Sequence, residues 1–418
     1  MERQGELDYK DWAERYRKHL LEEVMAFWRS RTIDEAGGFF TFFDRQGNLK
    51  GEDKYIWVQA RQTYIFSVLY SNVQNDPVWL EHARHGRDFL VKHAYAGNGR
   101  WYYRLDREGK LLEGDRSMAT DSFVLCALCV YAAASGRDED IKLIEETYAA
   151  YEKNMNDPDN VEFYHYVFDP NYSHHSLSML CVNTCAVARD ILGEARVRPL
   201  LYTNIESVLY HFAKDEQECL FEIVNRDGST VDSEEGRVVN PGHALESMWF
   251  CMEAGLHAKD RAIVDRCMQI ADWHIAKGYD RQYGGMFSFI NPEGEPIPIR
   301  GKAKDAGQSW DSKIWWVHSE CLYITALCYV HSSSPVWLKR FLELHEFASE
   351  HFYDREYGEW YMYLNRDGTV SNPDKGNAYK SAFHVPRALM KIYLLFLGEA
   401  TRLSQEAQKM ETEKRLSP

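Results

Sequence analysis

Apolar positions along this chain switch between two periods. Residues 8 to 31 (DYKDWAERYRKHLLEEVMAFWRSR) repeat them every three or four, at Trp12, Tyr16, Leu20, Val24 and Phe27, which predicts an amphipathic helix. Residues 34 to 49 (DEAGGFFTFFDRQGNL) change to an aromatic run ending in a D-R-Q-G turn, the mark of a short hairpin. The next stretch, DKYIWVQARQTYIFSVLYSNV, is helical again.

That unit recurs. GRWYYRLDREGKLL begins at Gly99, CLFEIVNRDGSTV at Cys219, YGGMFSFINPEGEPI at Tyr283 and YGEWYMYLNRDGTV at Tyr357. A weaker copy, NVEFYHYVFDPNY, begins at Asn160. These make six copies of an aromatic strand and its turn, usually about sixty residues apart. A helix follows each hairpin, and the gap leaves room for a second. Six helix pairs with six hairpins predict an all-α fold, an (α/α)6 barrel or toroid with short β-hairpins at one end. An open α-solenoid has the same repeat. The count of six and the aromatic content of the presumed inner helices favour closure. No linker rich in Pro, Gly or Ser divides the chain, so residues 1–418 read as a single domain. The polar tail after about residue 404 (SQEAQKMETEKRLSP) is expected to fray.

In such a ring the post-hairpin helices line the cavity, and their polar residues become candidates. The first carries Tyr55, Trp57, Arg61 and Gln62, and the second Asp121. Arg61 lies amid aromatics, where a charge is costly unless paired or bound to ligand. The third begins SHHSLSML, where His174 and His175 read as capping or exposed residues. The fourth opens on Asn240-Pro-Gly-His243-Ala-Leu-Glu246. Its Asn-Pro-Gly favours a turn, and the three-residue spacing puts His243 and Glu246 on one helical face, with Glu246 the expected tuner of His243. The fifth carries Trp316, His318 and Glu320; the last two are two apart and cannot share the cavity face, and Glu320 is preferred. The sixth carries His384 and Arg387, again on one face. A lone histidine on an apolar helix is usually a satisfied core residue. The recurrence of histidines beside carboxylates and arginine weakens that explanation for His243 and His384.

Composition narrows the chemistry. A net charge of -15 argues against nucleic acid or an anionic membrane as partner. No run approaches eighteen uncharged apolar residues, and the first residues show no signal-peptide pattern. Nine cysteines, mostly in apolar helical contexts, suggest a reducing cytoplasm, and the Cys126/Cys129 pair reads as core. With no second CxxC and no HExxH, no metal is expected. Neither a P-loop nor a strand-linked G-x-G-x-x-G is present. A cavity of His, Glu, Arg, Gln and Trp then suits a neutral polyol. Two histidines can serve as general base and acid. Asp121, Glu246 and Glu320 keep glycoside hydrolysis open.

KYIWVQARQ, NPGHALE, KIWWVHSE, YGEW and FHVPR together resemble the N-acylglucosamine 2-epimerase (renin-binding protein) family and its cellobiose 2-epimerase relatives, from about residue 10 to about 398. The resemblance implies an (α/α)6 barrel and a sugar 2-epimerase acting on N-acetylglucosamine and N-acetylmannosamine. In that mechanism one of His243 and His384 removes the C2 proton of the ring-opened sugar, and the other returns a proton to the opposite face. It implies that Arg61 holds the enediolate oxygen and that Glu246 and Glu320 orient a histidine or help ring opening. Tyr55, Trp57, Gln62, Asp121, Trp316, His318 and Arg387 are the expected substrate contacts. Ser176 and Ser178, in place of a histidine-rich T-H-x-H, and His318 favour the N-acylglucosamine branch over cellobiose. The resemblance also implies a homodimer; no cofactor is expected to be required, ATP activates some members, and no nucleotide site is legible here. A 2-epimerase of unacylated aldoses such as glucose, mannose or cellobiose, an aldose–ketose isomerase, a glycoside hydrolase and a non-catalytic binding protein remain alternatives.

Overall fold

The computed structural model describes residues 7–115, 117–157, 171–297 and 309–416. Among them, twelve helices stand in six pairs. The first, α1, runs from Tyr9–Lys18 through a π-helical turn, His19–Val24, to Met25–Arg29. The others are α2 (Ile56–Asn72), α3 (Pro77–Phe89), α4 (Met118–Ser135), α5 (Ile141–Met155), α6 (His175–Leu192) and α7 (Glu194–Glu206). They continue as α8 (Pro241–Ala258), α9 (Arg261–Gly278), α10 (Trp315–Ser332), α11 (Pro335–His351) and α12 (His384–Leu416).

Even-numbered helices form the inner ring and odd-numbered ones the outer. The inner helices are apolar on nearly every face because both sides are covered: all but one residue of Trp315–Tyr329 is buried. Outer helices bury one stripe, and several start on polar caps. Asp76, Asp260 and Ser334 accept backbone N–H groups at their starts, with Pro77 and Pro335 in the first turn. By length and composition α4 is apolar enough to cross a membrane, a property that Asp121 hides from a count of uncharged residues; here it is a mostly buried wall of the ring. All nine cysteines are buried and free, Cys126 and Cys129 included.

The ring closes. Each inner helix packs on the next, α12 returns to α2, and α12 takes α1 as its outer partner. The two ends of the chain therefore build one helix pair, with Tyr9 and Tyr16 against Phe396. This settles the choice between barrel and open solenoid. The tail expected to fray past residue 404 continues in α12 to Leu416.

Hairpins do more than connect. Each described one reaches back to pair with the segment leading into the previous inner helix: Leu105 with Lys54, Ile223 with His174, Ile290 with Val239 and Tyr363 with Ile314. Phe43 pairs with Gly376 and carries the pattern across the chain ends. The weaker copy predicted at residue 160 falls largely outside the described residues. The turn arginine adds a charge clamp. Arg107 holds Asp34, Arg366 holds Asp280 and Arg45 holds Asp354, and each aspartate also pairs with a buried lysine, Lys54, Lys313 or Lys375.

Candidate active site

The turn at residues 240–243 works as read. The Asn240 side chain accepts the His243 N–H at 3.1 Å and caps α8, with Pro241 in its first turn. His243 is thereby set in the first turn of an inner helix, and His384 is the first residue of another. Trp316, in the first turn of α10, stands between them. Its ring lies 5.2 Å from the His243 ring and 5.7 Å from the His384 ring. A side chain at position 242 would collide with it: a Cβ on Gly242 meets Trp316 Cη2 at 2.8 Å.

Different carboxylates stand behind the two imidazoles. His243 Nδ1 lies 2.9 Å from Glu222 Oε2, and His384 Nδ1 lies 2.7 Å from Glu320 Oε1. A carboxylate only accepts, so each Nδ1 carries the hydrogen and each Nε2 is left for the cavity. Glu320 is heavily shared: Arg387 donates to Oε1 at 2.8 Å and Trp249 Nε1 to Oε2 at 2.7 Å. Arg387 also binds Glu246. Glu246, Glu320 and His384 offer ligand atoms within 4.8 Å of one another, as a metal site would; the cation among them is the Arg387 guanidinium.

The electrostatics diverge accordingly. Burial pushes the His243 imidazolium toward deprotonation, but the charge and hydrogen bond of Glu222, helped by Glu246, outweigh it and hold its pKa above the ordinary value. Burial and then the Arg61 charge, with Arg387 and His243 adding to them, hold His384 well below it against Glu246. Opposed shifts on two groups beside one ring are what an acid–base pair requires. Arg61 is 7% exposed, its guanidinium 4.3, 4.1 and 4.7 Å from the rings of Trp57, Phe123 and Phe383. Tyr55 caps the start of α2, and its hydroxyl meets Arg104.

Several expected contacts are spent elsewhere. Glu246 does not bond to His243; its carboxylate takes Arg387. Arg387, 2% exposed, is the counter-charge beneath His384 and not a group open to substrate. Gln62 is buried and bonded to Thr32. Asp121 binds Arg100 and the Trp101 N–H, tying a hairpin to α4, and burial pushes its pKa up to about 7. His318 uses both nitrogens on the backbone, donating to Ile314 O and accepting from Met286 N, and burial pushes it down to about 3. His175, read as a cap or surface residue, is fully buried beside Glu222.

Glu222 escaped notice in the sequence, yet a signal was there. Six residues before the turn glycine, the described hairpins place Thr41, Tyr103, Glu222, Ser288 and Met362. The backbone carbonyl at that position accepts the first N–H of the previous inner helix: Tyr103 from Ile56, Glu222 from His175 and Met362 from Trp315. A side chain there sits at the helix start, and among the described copies only this one supplies a carboxylate.

The family model for N-acylglucosamine 2-epimerase (GlcNAc 2-epimerase) matches residues 38–388. The N-acylglucosamine 2-epimerase of Bos taurus is 30% identical over 90% of this chain and 89% of its own length. The cellobiose 2-epimerase of Eubacterium cellulosolvens is 23% identical over 90% and 96%. Among solved structures, cellobiose 2-epimerase from Spirochaeta thermophila superimposes with a TM-score of 0.79 at 19% identity, covering 93% of this chain and 97% of that one. A closed ring of six helix pairs, two histidines at the starts of its inner helices and a match over most of the chain agree: this protein belongs to the N-acylglucosamine 2-epimerase family.

Proposed function

We propose that this protein is a sugar 2-epimerase that interconverts N-acetylglucosamine and N-acetylmannosamine. The observation that carries this reading is the pair of imidazoles beside one tryptophan ring, one with its pKa raised and the other with its pKa lowered. Inverting a carbon that bears an acidic hydrogen needs a base on one side and an acid on the other.

Ring opening exposes an aldehyde, which makes the C2 hydrogen acidic. His384 Nε2, backed by Glu320, takes that hydrogen. The negative charge on the enediolate faces the Arg61 guanidinium, which burial among aromatics keeps from being screened by water. His243 Nε2–H then gives a proton to the opposite face of C2. The reverse epimer uses the same groups in exchanged roles. Proton transfer between carbon and imidazole needs no metal or cofactor in this scheme. The resemblance to the N-acylglucosamine enzymes extends the proposal to a homodimer.

Substrate choice is tested by supplying N-acetylmannosamine, mannose and cellobiose separately and identifying products by NMR. Conversion of N-acetylmannosamine to N-acetylglucosamine, faster by tenfold or more than either other reaction, is expected. Turnover of mannose or cellobiose alone overturns the acylated substrate, and a ketose product overturns epimerisation.

A further inference from the structure

Behind His243 lies a second histidine that the scheme above does not use. Glu222 stands between them, with Oε2 at 2.9 Å from His243 Nδ1 and Oε1 at 3.5 Å from His175 Nδ1. His175 is fully buried, and its Nε2 meets Ser247 Oγ at 2.7 Å. Ser247 has one hydrogen, and the His243 carbonyl takes it at 2.8 Å. The hydrogen between Ser247 and His175 is therefore supplied by His175 Nε2, and a neutral His175 turns a bare Nδ1 toward Glu222. Accordingly, His175 Nδ1 and Glu222 Oε1 are both buried without a hydrogen-bond partner.

Buried polar atoms are seldom left so, and the exceptions call for a reason. The comparison with Glu320 supplies one. Both Glu320 oxygens accept, from His384, Arg387 and Trp249, so its charge is divided among three donors. Glu222 makes one such bond, to His243. The backbone fixes it there, since the Glu222 carbonyl accepts the His175 N–H and Ile223 pairs with His174.

We propose that Glu222 and His175 are positioning residues for the reaction: Glu222 holds the His243 ring with Nε2 toward the cavity, and His175 withholds a hydrogen bond from the second Glu222 oxygen so that the carboxylate's charge is kept for His243. How many donors share each carboxylate then adds to the difference between the two histidines that burial and the Arg61 charge set at His384. This inference rests on the epimerase reading.

The test compares two rates in D2O on one sample, for each epimer: uptake of deuterium at C2 of the starting sugar, and formation of the other epimer. In Glu222→Gln, His384 still removes the C2 hydrogen of one epimer and returns deuterium to the same face, while donation by His243 fails. Epimerisation is expected to fall about 100-fold with KM changed less than about threefold, and the ratio of exchange to epimerisation to rise at least tenfold. His175→Gln, which offers an amide N–H to Glu222 Oε1, is expected to raise the ratio in the same direction by a smaller factor. The ratio is independent of how much protein is folded, and His175→Gln carries the test alone if Glu222→Gln does not accumulate. Ratios equal to that of the unmodified protein overturn this proposal and leave the epimerase reading intact. Absence of exchange in the unmodified protein overturns both.

Discussion

At the scale of single residues, what stands behind each histidine decides what it does. His384 has to be neutral to accept a proton, and His243 charged to give one. Activity toward the epimer that His384 deprotonates is lost in acid as His384 protonates, below the ordinary imidazole range because its pKa is lowered. In alkali it is lost as His243 deprotonates, above that range because its pKa is raised. The kcat/KM profile between about pH 5 and about pH 9 is therefore expected to be a bell broader than two ordinary histidines give, and a narrow bell contradicts the assignment. Arg61→Ala should lower kcat by about 100-fold to 1,000-fold, as loss of an oxyanion donor does. Gly242→Ala drives a methyl group into Trp316 and Val317, contacts of 2.8 and 2.7 Å. Overpacking of this kind costs about 1–3 kcal/mol, so a lowered melting temperature with a raised KM is expected, and an unchanged KM would separate Trp316 from the substrate. The placement of both histidines at the starts of inner helices was legible because each sits in a local motif with a turn or a charge three residues away. Glu222 was not, since it lies 21 residues from His243 and the fold alone joins them. Asp121, Gln62 and His318 misled for one reason: a polar group in an apolar helix must be satisfied, and hairpin backbone or a neighbouring side chain satisfies it as well as a substrate would.

Among the elements, the hairpins set the geometry. They pair with the previous repeat, so a residue on one hairpin is delivered to the start of the helix before it. The sequence shows the six hairpins through their aromatic runs and turn glycines, but not the step backwards, because strands of two or three residues carry no register signal. The clamps share this logic. Asp354 holds both Arg45 and the buried Lys375. Asp354→Ala strands a buried ammonium, and the loss expected in a urea titration is about 3–5 kcal/mol. Unchanged stability would show that the clamp is ornamental.

Over the whole molecule, closure follows from the two chain ends sharing one helix pair. Tyr16, Leu20, Val24 and Trp28 of α1 are buried, and Trp28 Nε1 donates to Glu359 Oε2 at 2.5 Å, so both termini contribute to the same core. Removing residues 1–29 should abolish the cooperative unfolding transition. Ending the chain at residue 404 should leave the melting temperature within about 2 °C, since residues 401–406 are all exposed. The barrel was legible as six repeats. Its closure rests in the sequence on the count of six, and in the structure on the contact of α12 with α1 and α2. The central claim is that two imidazoles on opposite sides of one carbon exchange its hydrogen. Its most direct test is the reaction of N-acetylmannosamine in D2O, read by NMR for the unmodified protein, His243→Ala and His384→Ala. One deuteron at C2 of the N-acetylglucosamine formed, none at C1, and no epimer from either variant are expected. Epimer that keeps its original C2 hydrogen, or turnover surviving in either variant, would contradict it.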